Sequence, residues 1–184
     1  MTDRLTPATL LVALCVSACS TTAVEPTPSV QAQAPAIVAL FSPTSVTGES
    51  IRDETIRRID HTTRTLDLAM YSFNEPTLTE ALIRAKARGV SMRVIMDALQ
   101  AGGATSQADE LRKAGITVKL MRGIKGNGIM HHKVAIYDGA VVQTGSFNWT
   151  DNASCCSWEN SVFLADQKIV RRYQEEFDRM WNRE

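Results

Sequence analysis

The stretch Met130 to Trp149 reads MHHKVAIYDGAVVQTGSFNW. His131 and Lys133 stand two residues apart, and so do Ser146 and Asn148. Between the pairs lies Asp138-Gly139, a dipeptide that favours a tight hairpin turn. A two-residue turn there sets Tyr137 opposite Ala140, Lys133 opposite Thr144 and His131 opposite Ser146. Strand side chains alternate faces with period two. This register predicts His131, Lys133, Ser146 and Asn148 on one face of one hairpin, and a bulge in either strand would shift it. The four side chains offer an imidazole, an ammonium, a hydroxyl and a carboxamide, which together suit a phosphate and include a nucleophile.

Each residue has a role in that chemistry. The imidazole of His131 can attack phosphorus and leave again, dividing one displacement into two. Lys133 and Asn148 bind non-bridging phosphate oxygens, whose charge is redistributed in the transition state. Ser146 adds a hydrogen bond. Asp138 has the opposite parity and occupies a turn position, so it reads as structural support rather than as a reacting group. His132 points to the other face and His61 ends a helix, so neither reads as catalytic. Phe147 and Trp149 offer base stacking, but strand aromatics more often fill a core.

The pattern His131-x-Lys133, Asp138, Gly145-Ser146-x-Asn148 resembles the HKD motif of the phospholipase D superfamily, and every spacing fits. The flanks Met70-Tyr71-Ser72-Phe73 and Gly145 to Trp149 resemble the small bacterial nuclease branch, which carries one motif per chain. The resemblance runs from about Ala36 to the C-terminus. It implies a phospholipase D-like α-β-α sandwich, with a mixed β-sheet flanked by helices. It implies a metal-independent, cofactor-free phosphodiesterase, a non-specific endonuclease on DNA and also RNA, working through a phosphohistidine on His131. Glu159 lies eleven residues after Asn148, where these nucleases carry a Glu. A carboxylate bonded to the imidazole there would fix its tautomer. The catalytic set is therefore His131, Lys133, Asn148, Ser146, Glu159 and, in a supporting role, Asp138. The resemblance also implies a homodimer. The chain holds three His, and only His131 lies on the catalytic face. A two-step displacement needs a second acid–base group, which a two-fold axis beside the hairpin would supply.

With 184 residues the chain suits one domain plus appendages. Its formal net charge is zero, so global charge names no partner. Arg112, Lys113, Lys119, Arg122, Lys125 and Lys133 fall in a span free of Asp and Glu. Such a span is ordinarily a solvated face; beside a phosphate site it equally suits a polyanion path.

Residues 1–18 read as a signal peptide, with Arg4 before a short apolar run from Ala8 to Val16. Val16-Ser17-Ala18-Cys19 resembles a lipobox, which makes Cys19 the lipidated first residue of the mature chain. An ordinary cleaved signal is the alternative. Ser20 after the Cys implies a periplasmic, outer-membrane lipoprotein of a Gram-negative bacterium. Residues 19–35 then form the lipidated Cys and a flexible Thr/Pro/Ala/Gln-rich tether, and 36–184 the catalytic domain. Within it, periodicity predicts strands at 37–41, 66–72, 90–96, 116–121 and 159–164. It predicts helices over 48–61, from Asn74-Glu75-Pro76 to Gly89, and over 105–114 and 166–181. Cys155-Cys156 is compatible with a vicinal disulfide, an inter-subunit bridge or free thiols, and lacks zinc spacing. Two rival functions remain: a phospholipase D acting on lipid head groups, and a decayed nucleic-acid-binding lipoprotein.

Overall fold

The computed structural model describes residues 1–2, 37–42 and 48–183. Every described element lies in the compact unit Gln33–Glu184. The expected leader, Cys19 and the tether fall outside the described residues, apart from Met1 and Thr2.

Strand β1 (Ile37–Ser42) precedes helix α1 (Ile51–His61), β2 (Thr65–Met70), α2 (Pro76–Ala87) and β3 (Ser91–Asp97). Two short helices, α3 (Ala98–Ala101) and α4 (Ala108–Lys113), lead to β4 (Thr117–Met121). The motif forms β5 (Lys133–Tyr137) and β6 (Val141–Gly145), followed by α5 (Asp151–Cys155), β7 (Glu159–Leu164) and α6 (Gln167–Trp181). The strands make one sheet in the order β1-β7-β6-β5-β2-β3-β4. β2, β3 and β4 are parallel, and the remaining neighbours are antiparallel. This is the expected mixed α/β sheet with helices on both faces. α3 and α5 were not expected, because single helical turns leave too little periodicity to read.

Local chemistry sets the boundaries. Ser50 caps α1 by accepting the Asp53 N–H at 3.0 Å, and Ile51, Thr55 and Ile59 form its buried stripe. Pro76 opens α2. Gly89 closes it at φ +92°, where the Gly89 and Val90 N–H groups take up the Lys86 and Ala85 carbonyls. Asp166 caps α6 through the Lys168 and Ile169 N–H groups.

Two apolar layers result. One, on the α1, α2 and α4 side, contains Leu68, Phe73, Leu82, Tyr137, Phe147, Trp149 and Phe163. The other, under α6, contains Ile95, Val134, Ile136, Val142, Val170 and Phe177. Phe147 and Trp149 are therefore core residues, and Trp149 packs edge-on against Phe73 at 5.3 Å. Arg93 ties α6 to the sheet. Its guanidinium bonds Asp67 at 2.6 and 2.8 Å and Asp178 at 2.7 Å, and lies over the Phe177 ring.

The motif hairpin departs from the simple register. Asp138 and Gly139 do form the turn, both at positive φ, with the Ala140 N–H on the Tyr137 carbonyl at 2.9 Å. Pairing then resumes at Tyr137 opposite Val141, not Ala140. Ala140 is an extra residue, a bulge at the turn. Lys133 consequently shares parity with Gln143 and Gly145, and Ser146 takes the opposite parity. The expected single-face cluster is corrected on this point. The cause is long-range: Asp138 is held by the start of β2, which sets the turn independently of β6.

Candidate active site

Apart from Asp138, the candidate residues gather at one end of the sheet, where β2 and β6 finish and β5 and β7 begin. The Tyr71 N–H donates to the His132 carbonyl at 2.8 Å, extending the β2–β5 ladder by one step. This places Tyr71 beside the motif. Its ring meets the exposed His131 imidazole edge-on, with centroids 4.6 Å apart and planes at 68°. Lys133 Nζ sits 4.9 Å from the same ring centroid and donates to the His131 carbonyl at 3.2 Å. One aromatic platform thus holds the imidazole and the ammonium together. Burial pushes the Lys133 ammonium below its ordinary pKa, and the Glu159 carboxylate opposes that shift.

Ser146 and Glu159 form a second group. The Ser146 hydroxyl donates to Glu159 Oε2 and accepts the Asn160 N–H at 3.1 Å. The hydrogen bond of Glu159 therefore goes to Ser146, not to the imidazole that the resemblance implied. Gly145 makes this approach feasible. A Cβ there would stand 2.3 Å from the Asn160 carbonyl oxygen and 2.9 Å from Ser161 Cα. Asn148 lies between the buried Phe147 and Trp149. Its Oδ1 is buried without a hydrogen-bond partner among the described residues.

Asp138 stands at the far end of β5 from His131. Its carboxylate accepts the N–H groups of Thr63, Arg64 and Thr65 at 3.0, 2.7 and 2.9 Å. Burial raises its pKa, but these bonds outweigh that and hold it below the usual carboxylate range. Its place in the motif is that of a brace joining β5 to β2.

Two positioning residues escaped the sequence reading. In the sequence Tyr71 is only part of a motif flank; nothing local says that its ring meets His131. Asp97, almost fully buried, accepts the Met130 N–H at 3.0 Å with Oδ2 and caps α3 with Oδ1. It holds the chain immediately before His131. Its only sequence signal was a carboxylate ending an apolar strand.

His132 faces α6, toward Glu176 and Arg179. Burial lowers its pKa, with Glu176 opposing. His61 bonds the Arg57 carbonyl at the end of α1. Much of the basic span is engaged locally. Arg112 pairs with Asp109, Lys113 with Glu110, and Lys119 donates to the Met180 and Trp181 carbonyls at the end of α6. Cys155 and Cys156 form a vicinal disulfide, which resolves their three alternatives. Among the described residues, no group of three or more His, Cys, Asp or Glu is arranged to hold a metal.

A family model described as "Cardiolipin synthase, PLD-like domain" matches residues 55–181. Mitochondrial cardiolipin hydrolase of Xenopus tropicalis is 42% identical over 118 residues, covering 64% of this chain and 55% of that protein. The Homo sapiens protein of that name is 40% identical over 134 residues, covering 73% and 52%. The chain thus spans about half the length of these curated relatives. Among solved structures, the phospholipase D family member Nuc from Salmonella typhimurium superposes with a TM-score of 0.70 at 30% identity, covering 79% of this chain and 93% of Nuc. NucT from Helicobacter pylori gives a TM-score of 0.70 at 25% identity, covering 79% and 96%. With the fold and the family match in agreement, the chain belongs to the phospholipase D-like domain family, a family of phosphodiester-bond enzymes.

Proposed function

We propose that this protein is a metal-independent phosphodiesterase that hydrolyses nucleic acid, DNA and also RNA, as an endonuclease. The observation that carries the reading is the pairing of His131 with Lys133 on the Tyr71 ring, an exposed nucleophile beside a partly desolvated cation. The likeness to Nuc over nearly all of that protein supports it. In the first step a ring nitrogen of His131 bonds to phosphorus, the ester P–O bond breaks, and the leaving oxygen takes a proton from an acid. In the second, the conjugate base of that acid takes a proton from water as the water oxygen attacks phosphorus. The P–N bond then breaks and frees His131. Lys133 and Asn148 bind the non-bridging oxygens. Glu159, through Ser146, holds the far rim of the site.

The acid is His131 of a second copy, in a homodimer with one composite site. A surface suited to that contact adjoins Glu159. α6 packs on β5 and β6, while Ile37 and Phe41 of β1 are 59% and 54% exposed and Trp158, just before β7, is 92% exposed. A cavity bounded by Phe41, Trp158 and Glu159 lies among them. Cys19 remains the proposed lipid anchor and the outer membrane the proposed location; loss of membrane fractionation in Cys19→Ser tests both.

A second reading, hydrolysis of phospholipid, is favoured by the identity to cardiolipin hydrolases. The deciding experiment incubates purified protein in excess EDTA with plasmid, with RNA, and with cardiolipin and phosphatidylcholine vesicles. Nicked plasmid and intact lipid are expected. Lipid turnover with intact nucleic acid would replace the first reading by the second. Loss of all activity with chelator, restored by a divalent metal, would refute metal independence.

A further inference from the structure

A recess of about 110 Å³ opens on the α6 side of His131, separate from Tyr71 and Ser146. Its rim carries His131, His132, Arg122, Glu176, Arg179 and Arg183, and Met121, Ile129 and Met180 give it an apolar floor. The charges do not cancel. Glu176 is held by Arg179 through paired bonds of 2.6 and 2.8 Å. Arg122 and Arg183 have no carboxylate partner among the described residues. The recess therefore carries, on the same rim as His131, two guanidiniums that no carboxylate of the described residues pairs.

The segments that carry the two arginines are anchored through their backbones, and the Arg183 guanidinium also donates to the Ile124 carbonyl at 3.5 Å. The Arg122–Ile129 bridge and the Gly123 N–H on the Gly128 carbonyl, at 2.8 Å, close the intervening loop. The loop is tight enough that a Cβ at Gly123 would stand 2.2 Å from Gly128 C. On the other wall, Lys119 binds the carbonyls of Met180 and Trp181 and fixes the end of α6 just before Arg183. Guanidinium forks match phosphate oxygens in geometry as well as charge. The space is ample for a phosphate group.

We infer that this recess is a second-phosphate subsite, in which Arg122 and Arg183 bind the nucleic-acid phosphate adjacent to the one attacked by His131. The inference rests on the nuclease reading and gives it a mode of substrate selection. A polynucleotide presents a second phosphate one nucleotide away, and a simple diester presents none. Binding there holds the scissile phosphate over His131 and favours internal cleavage of a chain.

The test compares dTpdTpdT, which has two phosphodiesters, with bis(p-nitrophenyl) phosphate, which has one. It uses the wild-type protein, Arg122→Ala, Arg183→Ala and the double variant. The ratio of kcat/KM for the trinucleotide to that for the nitrophenyl diester should fall about tenfold or more in the double variant, mostly through KM. The salt dependence of trinucleotide binding should flatten by about 0.7 in log–log slope per lost contact. An unchanged ratio in folded variants, or an equal loss on both substrates, overturns the subsite and leaves the nuclease reading standing. A wild-type enzyme that turns over the nitrophenyl diester but no oligonucleotide overturns both. If the recess instead selects cardiolipin over phosphatidylcholine in an enzyme inert to DNA, its ligand is a lipid and the inference fails as stated.

Discussion

Asp138 accepts the backbone N–H of Arg64 at 2.7 Å across 74 residues of sequence. Bonds from Thr63 and Thr65 complete the clasp. Replacing Asp138 with Ala should cost about 2 kcal/mol, a fall in Tm of roughly 4–8 °C. The pH dependence has a definite sign. The folded pKa of Asp138 is depressed, so its stabilisation is present above the unfolded value and is lost as pH falls through the folded one. The gap between wild type and Asp138→Ala should be full at pH 7 and close progressively below about pH 4. Calorimetry across that range checks it; a gap independent of pH would show that the carboxylate charge is irrelevant.

His131 is exposed and packs only at a ring edge. His131→Ala should therefore leave stability within about 0.5 kcal/mol of wild type and lower kcat by at least about 10³-fold. Mass spectrometry of the quenched wild-type reaction should find a nucleotidyl group joined to this residue through phosphorus. Substantial turnover by a folded His131→Ala protein would end the covalent mechanism.

Gly145 tests the site's far rim. Gly145→Ala drives a Cβ into the Asn160 carbonyl and Ser161 Cα. Relief requires β6 to move from β7, which should cost about 1–3 kcal/mol and separate Ser146 from Glu159. Activity should fall more than Tm predicts. Equal activity at temperatures well below Tm would mean that the Ser146–Glu159 bond does not bear on the reaction.

Asp97 tests positioning at a distance. Asp97→Ala strips the Met130 N–H of its buried acceptor, at about 1–3 kcal/mol for that group alone. A displacement of His131 by about 1 Å is sufficient for a loss near 10²-fold in kcat. Asp97→Asn keeps an oxygen acceptor and should recover part of kcat. A purely structural residue would lower Tm in Asp97→Ala without changing kcat at low temperature, which separates the two roles.

Much of the fold was legible because it is local. Ile51, Ile56 and Ile59 recur at near-helical spacing, with Thr55 rather than Ile56 completing the buried stripe, Pro76 and Gly89 bound α2, and Glu159 to Leu164 forms a strand of the length its sequence suggests, between β1 and β6. The motif's composition, an imidazole, an ammonium, a hydroxyl and a carboxamide, likewise suits a phosphate without reference to geometry. Tertiary structure decided the rest. The hairpin register turned on Asp138 meeting Thr63 to Thr65, and one extra residue at Ala140 was enough to move Ser146 off the expected face. Tyr71 under His131, Asp97 behind Met130, Ser146 on Glu159 and Arg183 near Arg122 are contacts between distant segments. Periodicity reports which face a side chain takes relative to its neighbours in sequence. Which side chain from elsewhere meets it is settled only when the sheet order and the α6 packing bring the segments together.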